Sequence, residues 1–208
     1  MPPFAVLHVC MGNICRSPMA ERLLRLAARE RVGDKADTVL LSHSAGTGGW
    51  HAGEAMNPPA ARELLRRGGD DRGFAARRLL GEHVDAADLI LTATAEQVDF
   101  VVGLRPDAAA RTFVFGEFGR LLSAVDPAAL PPAGAVPDAV YVRGVALVEA
   151  AHAARAGRSP EPGDELDDPW GRGDSVFSRV AGEIDAVVRP FAAVLLEADL
   201  LRRSPRGT

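Results

Sequence analysis

The chain is poor in cysteine: its 208 residues include only Cys10 and Cys15. Two cysteines are too few for a disulfide framework, and their spacing is not that of a zinc site. The five histidines form no metal-ligand pattern either, so we expect them to be structural or solvent-facing. Because free thiols persist in reducing compartments, the composition predicts a cytoplasmic protein.

Long apolar runs and an excess of positive charge are also absent. No run approaches the roughly 18 apolar residues that a membrane span requires. The 24 basic and 28 acidic residues give a net charge of −4, which offers no reason to expect nucleic-acid or membrane binding. The uncharged start, Met1 to Cys15, lacks the basic leader of a secretory signal and contains His8 and Asn13. We therefore expect it to belong to the folded protein.

What the sequence does contain is typical of a folded domain. Hydrophobic residues make up 47% and charged residues 25% of the chain, which excludes a largely disordered protein. A chain of this length buries roughly 70% of its unfolded surface and needs no metal or disulfide to hold a core. We predict a single domain over residues 1–208.

Short apolar runs alternate with segments of helical periodicity along most of the chain. This alternation predicts an α/β fold with a parallel sheet and right-handed crossovers. We expect Pro190 to kink or divide the last helix. The predicted strands are 4–10, 38–44, 88–92 and 112–115, and the predicted helices are 17–33, 58–67, 96–104, 117–122, 139–156 and 174–201.

The segment from about 125 to 165 differs from the rest of the chain. It is rich in proline, contains one predicted helix, and is too short and too poor in apolar bulk for a separate domain. We predict that it is an insertion within the single domain. The sequence does not indicate its role, nor the oligomeric state of the protein.

The most informative segment is the octet Cys10-Met-Gly-Asn-Ile-Cys-Arg16-Ser17, between the first strand and a helix that Ser17 is expected to cap and Pro18 to begin. Such a loop can curl so that its N–H groups and the helix N-terminus converge on one anion. Arg16 can close this cradle with two parallel hydrogen bonds. The expected phosphate-binding residues are Met11, Gly12, Asn13, Ile14, Cys15, Arg16 and Ser17.

The same positive field favours a thiolate at Cys10, which a nucleophile requires. Ser17 could donate a hydrogen bond to this sulfur. The alternative is that Cys10 is a small buried hydrophobic residue at the end of a strand.

Four segments, in order, resemble the low-molecular-weight protein tyrosine phosphatases. Residues 6–21 closely resemble the active-site segment of that family, 44–53 the loop after its second strand, 88–92 its third strand, and 168–171 its general-acid loop. The resemblance implies a four-stranded, doubly wound, flavodoxin-like parallel sheet flanked by helices. It also implies a phosphotyrosine-containing protein or peptide as substrate and no metal or other cofactor.

The resemblance further implies a role for each matching residue. Cys10 attacks phosphorus and forms a cysteinyl-phosphate, Arg16 and the loop amides hold the equatorial oxygens, and Asp168 is the general acid and then the base. Two alternatives stay open for the acid. Asp126-Pro127 is a second Asp-Pro pair, and Asp167 could assist its neighbour. The expected loop-support residues are Asn13, Ser17 and Ser44.

Three further residues take roles from the resemblance. Trp50 and Trp170 would wall the substrate pocket and hold a phenyl ring, or else each would be a core or loop-packing residue. Cys15 would form a reversible disulfide that protects Cys10, or else serve only in packing. Phe74 lies where many relatives have a histidine bonded to the loop asparagine, which puts the tuning of the loop in doubt.

Three other functions compete with this interpretation. Protein-arginine phosphatases resemble the family but typically carry threonine at the position of Ile14, so Ile14 favours phosphotyrosine. Arsenate reductases of the same fold need more cysteines than the two present here. A catalytically silent phosphate-binding module would leave Cys10, Arg16 and Asp168 together unexplained.

Overall fold

Four parallel strands form a single sheet in the order β2-β1-β3-β4 in the computed structural model, which describes residues 1–196. The strands are β1 (Phe4–Cys10), β2 (Leu40–Gly46), β3 (Leu89–Thr92) and β4 (Thr112–Val114). Every neighbouring pair is parallel, with Val6 opposite Ser42 on one side and Leu89 on the other. The predicted fold class is confirmed.

Helices connect the strands and cover both faces of the sheet. Residues 197–201, with which the predicted last helix ended, lie outside the described part of the chain. The helices are α1 (Arg16–Val32), α2 (Ala36–Val39), α3 (Pro58–Arg66), α4 (Gly81–Asp85), α5 (Ala95–Leu104), α6 (Phe115–Leu122), α7 (Pro137–Arg155) and α8 (Asp174–Leu195), with short 3₁₀ turns at Gly33–Lys35, Pro106–Arg111 and Pro127–Ala129.

One helix cap was predicted wrongly, and of the two outcomes expected at Pro190, a kink or a division, division is excluded. Helix α1 begins at Arg16 with Cys15 as its N-cap and without a side-chain cap, because the Ser17 hydroxyl bonds to Cys10 and Asn13 instead. Pro190 does not divide α8, which is continuous through that residue. Pro190 and Ala186, whose carbonyl loses its helical partner, both lie on the exposed face, where water can satisfy that carbonyl.

The alternating side chains of the strands divide the core into two clusters. On one face of the sheet, Val6, Leu91 and Phe113 pack with residues of α1, α6 and α8 in the larger cluster. On the other face, Leu7, Val9 and Ile90 pack with residues of α4 and α5. This two-layer burial explains why the strands read as continuous apolar runs.

The segment from about 125 to 165, predicted to be an insertion, packs against the end of the sheet at which the strands begin. Its helix α7 contributes Val140 and Leu147 to the larger cluster. Gly144 lies so close to the ring of Phe4 that a Cβ atom there would come within 2.4 Å of it. The guanidinium of Arg143 donates to the carbonyls of Val194 (2.6 Å), Pro127 (3.3 Å) and Pro131.

Candidate active site

The Cys10–Arg16 loop lies at the carboxyl ends of the strands, directly after the central strand β1. In open α/β sheets this edge, where crossovers leave toward both faces, is the usual ligand site. Asn13 has a φ of 55°, a left-handed conformation that asparagine tolerates better than most residues. Gly46 allows the chain after β2 to approach, since a Cβ there would lie 2.6 Å from the Met11 carbonyl oxygen.

Cys10 ends β1 with its sulfur buried beneath this loop. The sulfur lies 3.0 Å from the Ser17 hydroxyl oxygen and accepts a hydrogen bond from the Asn13 N–H at 3.3 Å. Both contacts suit a sulfur that carries negative charge. The Cys10 sulfur is thus buried but has two polar contacts, whereas a sulfur that serves only in apolar packing would have none.

The Arg16 guanidinium connects the loop to the segment before α8. Its side chain is only 6% exposed, with Nη2 donating to Asp168 Oδ2 at 2.8 Å and Nη1 to the Leu166 carbonyl at 3.2 Å. Its Nε–H is buried and has no hydrogen-bond partner among residues 1–196. A buried, unsatisfied donor on a cation is suited to an oxyanion.

Asp168 is held at this edge by contacts just before it in sequence. The Gly116 N–H donates to the Asp164 carbonyl (2.8 Å), the Arg120 guanidinium binds the Asp164 carboxylate (2.7 Å), and the Leu166 N–H donates to the Ala93 carbonyl (2.9 Å). These bonds fasten the chain to β3 and α6 as it enters the Asp168 turn.

The two alternatives to Asp168 point elsewhere. Asp167 binds the guanidinium groups of Arg172 (3.1 Å) and Arg179 (2.6 Å), chiefly the latter, which hold its pKa below the ordinary value. Asp126 accepts from the Ala128 N–H and begins a 3₁₀ turn in the inserted segment. Within the described residues, neither carboxylate lines the cleft that contains Cys10.

A cleft of about 220 Å³ opens above Cys10. Trp50 and Trp170 line it and are 63% and 62% exposed, so neither packs in the core. The predicted site residues that line the cleft are Cys10, Met11, Gly12, Ile14, Cys15, Arg16, Trp50, Asp168 and Trp170.

Behind the cleft, the buried amide of Asn13 holds the loop in shape. Its nitrogen donates to the hydroxyls of Ser17 and Ser44, each at 2.9 Å, and its oxygen accepts from the Arg77 N–H at 2.8 Å. All three predicted support residues therefore meet. The main chain of Arg77 supplies the partner for the Asn13 oxygen, the role that a histidine at the position of Phe74 has in many relatives. Phe74 packs under the Arg22 guanidinium, whose Cζ atom lies 5.8 Å from the centre of the Phe74 ring.

Sequence reasoning missed three residues of the site. His51, expected to be isolated, lines the cleft and contacts the Glu54 carboxylate at 2.8 Å. Arg77 and Glu21 complete the network behind the loop. The signal that could have found two of them is that Glu21 and His51 lie within the segments 6–21 and 44–53 that resemble the family.

Cys15 lies beside the nucleophile position as an unpaired, buried thiol. The pKa of Cys15 is raised to about 12, chiefly by burial and to a smaller extent by the nearby Cys10 and Asp168. The charge of Arg16 acts to lower it. Cys15 is therefore protonated at neutral pH.

The described residues offer neither a metal-binding cluster nor a membrane-spanning helix. Among residues 1–196 there is no group of three or more His, Cys, Asp or Glu side chains that could hold a metal ion. No helix in the same range combines the length and apolar character needed to cross a membrane.

Residues 5–127 match the family model of the low molecular weight phosphotyrosine protein phosphatases, which spans more than half of the chain. The chain belongs to this family. A low molecular weight protein-tyrosine-phosphatase of Bacillus subtilis is 44% identical over 98 residues, covering 45% of this chain and 58% of the relative. One from Streptomyces coelicolor is 37% identical over 139 residues, covering 66% of this chain and 79% of the relative.

Solved structures of the family share the fold. The tyrosine phosphatase amsI of Erwinia amylovora superimposes with a TM-score of 0.62 at 21% identity, covering 92% of both chains. The YwlE arginine phosphatase of Geobacillus stearothermophilus gives a TM-score of 0.61 at 23% identity, covering 91% of both chains. The family model ends before Asp168, so the position of that residue relative to Cys10 comes from the structure alone.

Proposed function

We propose that the protein is a phosphotyrosine-protein phosphatase that hydrolyses aryl phosphate monoesters through a cysteinyl-phosphate on Cys10. The observation that carries this proposal is the meeting of Cys10, Arg16 and Asp168 in one cleft with two exposed tryptophan walls. A nucleophile, a cation for the equatorial oxygens and an acid are the groups that phosphoryl transfer from a phenol requires.

In the first step the Cys10 thiolate forms an S–P bond while the bond from phosphorus to the phenolic oxygen breaks. The unsatisfied Nε–H of Arg16 and the loop amides hold the equatorial oxygens, where charge must be stabilised. Asp168, 2.8 Å from Arg16 Nη2, lies beside the bound phosphate and gives its proton to the departing phenolate.

In the second step a water molecule attacks phosphorus and the S–P bond breaks. Asp168, now a carboxylate, takes a proton from the water and is restored to its acid form. The sulfur leaves as a thiolate, to which the Ser17 hydroxyl and the Asn13 N–H are positioned to donate. Phosphate is then released from the loop.

The cleft walls support an aromatic substrate. Trp50 and Trp170 can enclose a phenyl ring, and the buried position of Cys10 favours a phosphate carried on a long side chain. Ile14 lines the cleft at the position at which arginine phosphatases typically carry threonine. The high pKa of Cys15 disfavours the relay of thiols that an arsenate reductase needs.

The same proposal covers the setting of the enzyme. A thiol nucleophile is best kept reduced in the cytoplasm, with a phosphotyrosine protein or peptide as its partner. Cys15 would protect an oxidised Cys10 by forming a disulfide with it. Because α7 shares the larger core cluster with α1 and α8, we also infer one phosphatase domain with an insertion at about 125–165.

The decisive experiment compares wild type, Cys10→Ser and Asp168→Asn on an aryl phosphate, a phosphotyrosine peptide and a phosphoarginine peptide. We expect no turnover by Cys10→Ser and slow turnover by Asp168→Asn. Asp167→Asn is the matched control, because its carboxylate lies outside the cleft, and it should keep wild-type activity. Turnover by Cys10→Ser would exclude the mechanism, and a preference for phosphoarginine would exclude the substrate class.

A further inference from the structure

Glu21 is a buried carboxylate on α1, only 8% exposed and outside the catalytic cleft. Its Oε2 atom lies 2.7 Å from the Ser44 hydroxyl, and its Oε1 atom lies 3.1 Å from Arg22 Nε. Ser44 is also one of the two hydroxyls that bind the Asn13 amide. Glu21 is therefore linked through Ser44 to the hydrogen bonds that shape the Cys10–Arg16 loop.

The direction of each hydrogen bond in this network can be assigned. The Arg77 N–H points at one amide atom of Asn13 at 2.8 Å, which must then be the oxygen. The two hydrogens of the Asn13 nitrogen consequently go to Ser17 and Ser44, each 2.9 Å away. Both hydroxyl oxygens are acceptors in these bonds, so each keeps its own hydrogen for another partner.

Among residues 1–196, each of these hydrogens has one acceptor within reach. For Ser17 it is the Cys10 sulfur at 3.0 Å, and for Ser44 it is the Glu21 carboxylate at 2.7 Å. We propose that Glu21 is a positioning residue. It fixes the donor-to-acceptor direction of the hydrogen bonds among Ser44, Asn13 and Ser17, so that the Ser17 hydroxyl donates to the sulfur of Cys10. The inference rests on the proposed function for its effect on turnover.

The position that Glu21 occupies in this hydrogen-bond network requires a group that can only accept. An ionised carboxylate can only accept, whereas an amide could turn its NH₂ group toward Ser44 and compete with Asn13 as a donor. The Ser44 hydroxyl would then receive two donors while its own hydrogen lost its acceptor. Asn13 would lose its fixed position, and with it the orientation of Ser17.

The surroundings of Glu21 contain both opposing influences on its ionisation. Burial raises the pKa of Glu21, while the hydrogen bond from Ser44 and the charges of Arg22, Arg25 and Arg77 act to lower it. Two of these arginines are on α1 itself, and Arg77 comes from the segment that also binds Asn13. Burial outweighs the other influences, so the pKa of Glu21 is raised. The acceptor role is therefore assigned from geometry, because Oε2 faces the Ser44 hydroxyl that must donate to it and Oε1 lies beside Arg22 Nε.

The test uses Glu21→Gln, Ser44→Ala and the double variant, with Glu63→Gln as the matched control. Glu63 is a second buried glutamate, 1% exposed and paired with Arg66 and Arg67 on α3, outside the cleft. Aryl phosphate turnover and the rate of Cys10 alkylation by iodoacetamide are measured at 25 °C, with Cys15→Ser as background so that only Cys10 reacts. Thermal unfolding of each variant checks its fold.

We expect Glu21→Gln to lower kcat about tenfold with KM changed less than about twofold, and to slow Cys10 alkylation. Glu63→Gln should leave both unchanged. Because Glu21 acts through Ser44, the double variant should be no slower than Ser44→Ala alone. A merely structural role would make the two effects additive or move only the melting temperature.

Wild-type kcat and alkylation in Glu21→Gln, or additive losses in the double variant, would overturn the inference. If Glu21→Gln does not fold, Glu21→Asp keeps the charge but withdraws the acceptor, and it should slow alkylation in the same way. Alkylation needs no turnover. An inactive wild type would therefore refute the proposed phosphatase activity while the alkylation series still decided the role of Glu21.

Discussion

The two ends of the sheet are built in opposite ways. At the carboxyl ends of the strands, Asn13, Arg16 and Ser17 are buried polar residues whose hydrogen bonds hold a loop around a cleft. At the amino ends, α7 closes the sheet with apolar residues and with Arg143, whose hydrogen-bond partners among residues 1–196 are all main-chain carbonyls. The carboxyl end of the sheet has a cleft that a ligand can enter, whereas the amino end is covered by side chains that exclude water.

This difference separates activity from stability within one small protein. Substitutions behind the cleft remove contacts with the reacting groups, whereas substitutions in α7 remove packing far from Cys10. Variants at the cleft, in α7 and in the middle of β1 test that separation, and each can contradict it.

Arg16→Lys should have the largest effect. Lysine keeps the charge but cannot bind two oxygens in one plane, so kcat/KM should fall about 100- to 1000-fold. Steady-state kinetics on an aryl phosphate measure this change, and circular dichroism monitors the fold. An enzyme that kept more than a tenth of wild-type activity would show that Arg16 is not the main oxyanion ligand.

Arg143→Met should act only on stability. It leaves the carbonyls of Pro127, Pro131 and Val194 without their shared donor, so the free energy of unfolding should fall by about 2–4 kcal/mol. Urea unfolding measures the loss, and kcat/KM at 25 °C should equal that of wild type. A parallel loss of activity would mean that the two ends of the sheet are coupled.

His8, in the middle of β1, predicts how stability depends on pH. Burial, with a smaller contribution from His43, lowers the pKa of His8 to about 3. Histidine in the unfolded chain has a pKa near 6.5, so between about pH 6.5 and pH 3 the unfolded chain binds a proton that the folded chain does not. Stability should therefore fall as the pH drops from about 6.5 toward 3.

The loss attributable to His8 between pH 7 and pH 5 is roughly 2 kcal/mol, at 1.36 kcal/mol for each pH unit below 6.5. Urea midpoints at the two pH values measure it. His8→Leu should show a smaller dependence on pH, while the acid-side contribution of His43, whose pKa burial lowers to about 4, should remain. An unchanged dependence in His8→Leu would exclude His8 as its source.

Trp170→Ala should have the smallest effect. Removing one wall of the cleft should raise KM for an aryl phosphate about three- to tenfold with little change in kcat, because the ring contributes to binding and not to proton transfer. Stability should be unchanged, since the side chain is largely exposed. Equal losses for a phosphoserine peptide and an aryl phosphate would remove the argument for an aromatic subsite.

The sequence predicted the sheet well and the network behind the cleft poorly, for physical reasons. Strand β1 was assigned with its observed bounds because a buried parallel strand reads as a continuous apolar run. The octet of the loop is local, so its shape follows from adjacent residues. Glu21 and Arg77 could not be found in this way, because they reach Asn13 and Ser44 across separate elements of the fold.

The continuity of α8 and the packing of α7 show the same limit. Whether Pro190 interrupts a helix depends on which face it occupies, and that is decided by the tertiary packing of its neighbours. The prolines distinguish the segment from about 125 to 165 in the sequence, but its place under the amino ends of the strands depends on contacts such as that between Gly144 and Phe4.

The fastening of Asp164 to α6 and of Leu166 to Ala93, just after β3, has a consequence for the turn that follows. Because the chain is secured again only a few residues before Asp168, the position of that carboxylate beside Arg16 does not depend on the shape of the segment upstream. Changes in the length of the stretch between α6 and Asp164 are therefore expected to leave the Asp168–Arg16 contact in place.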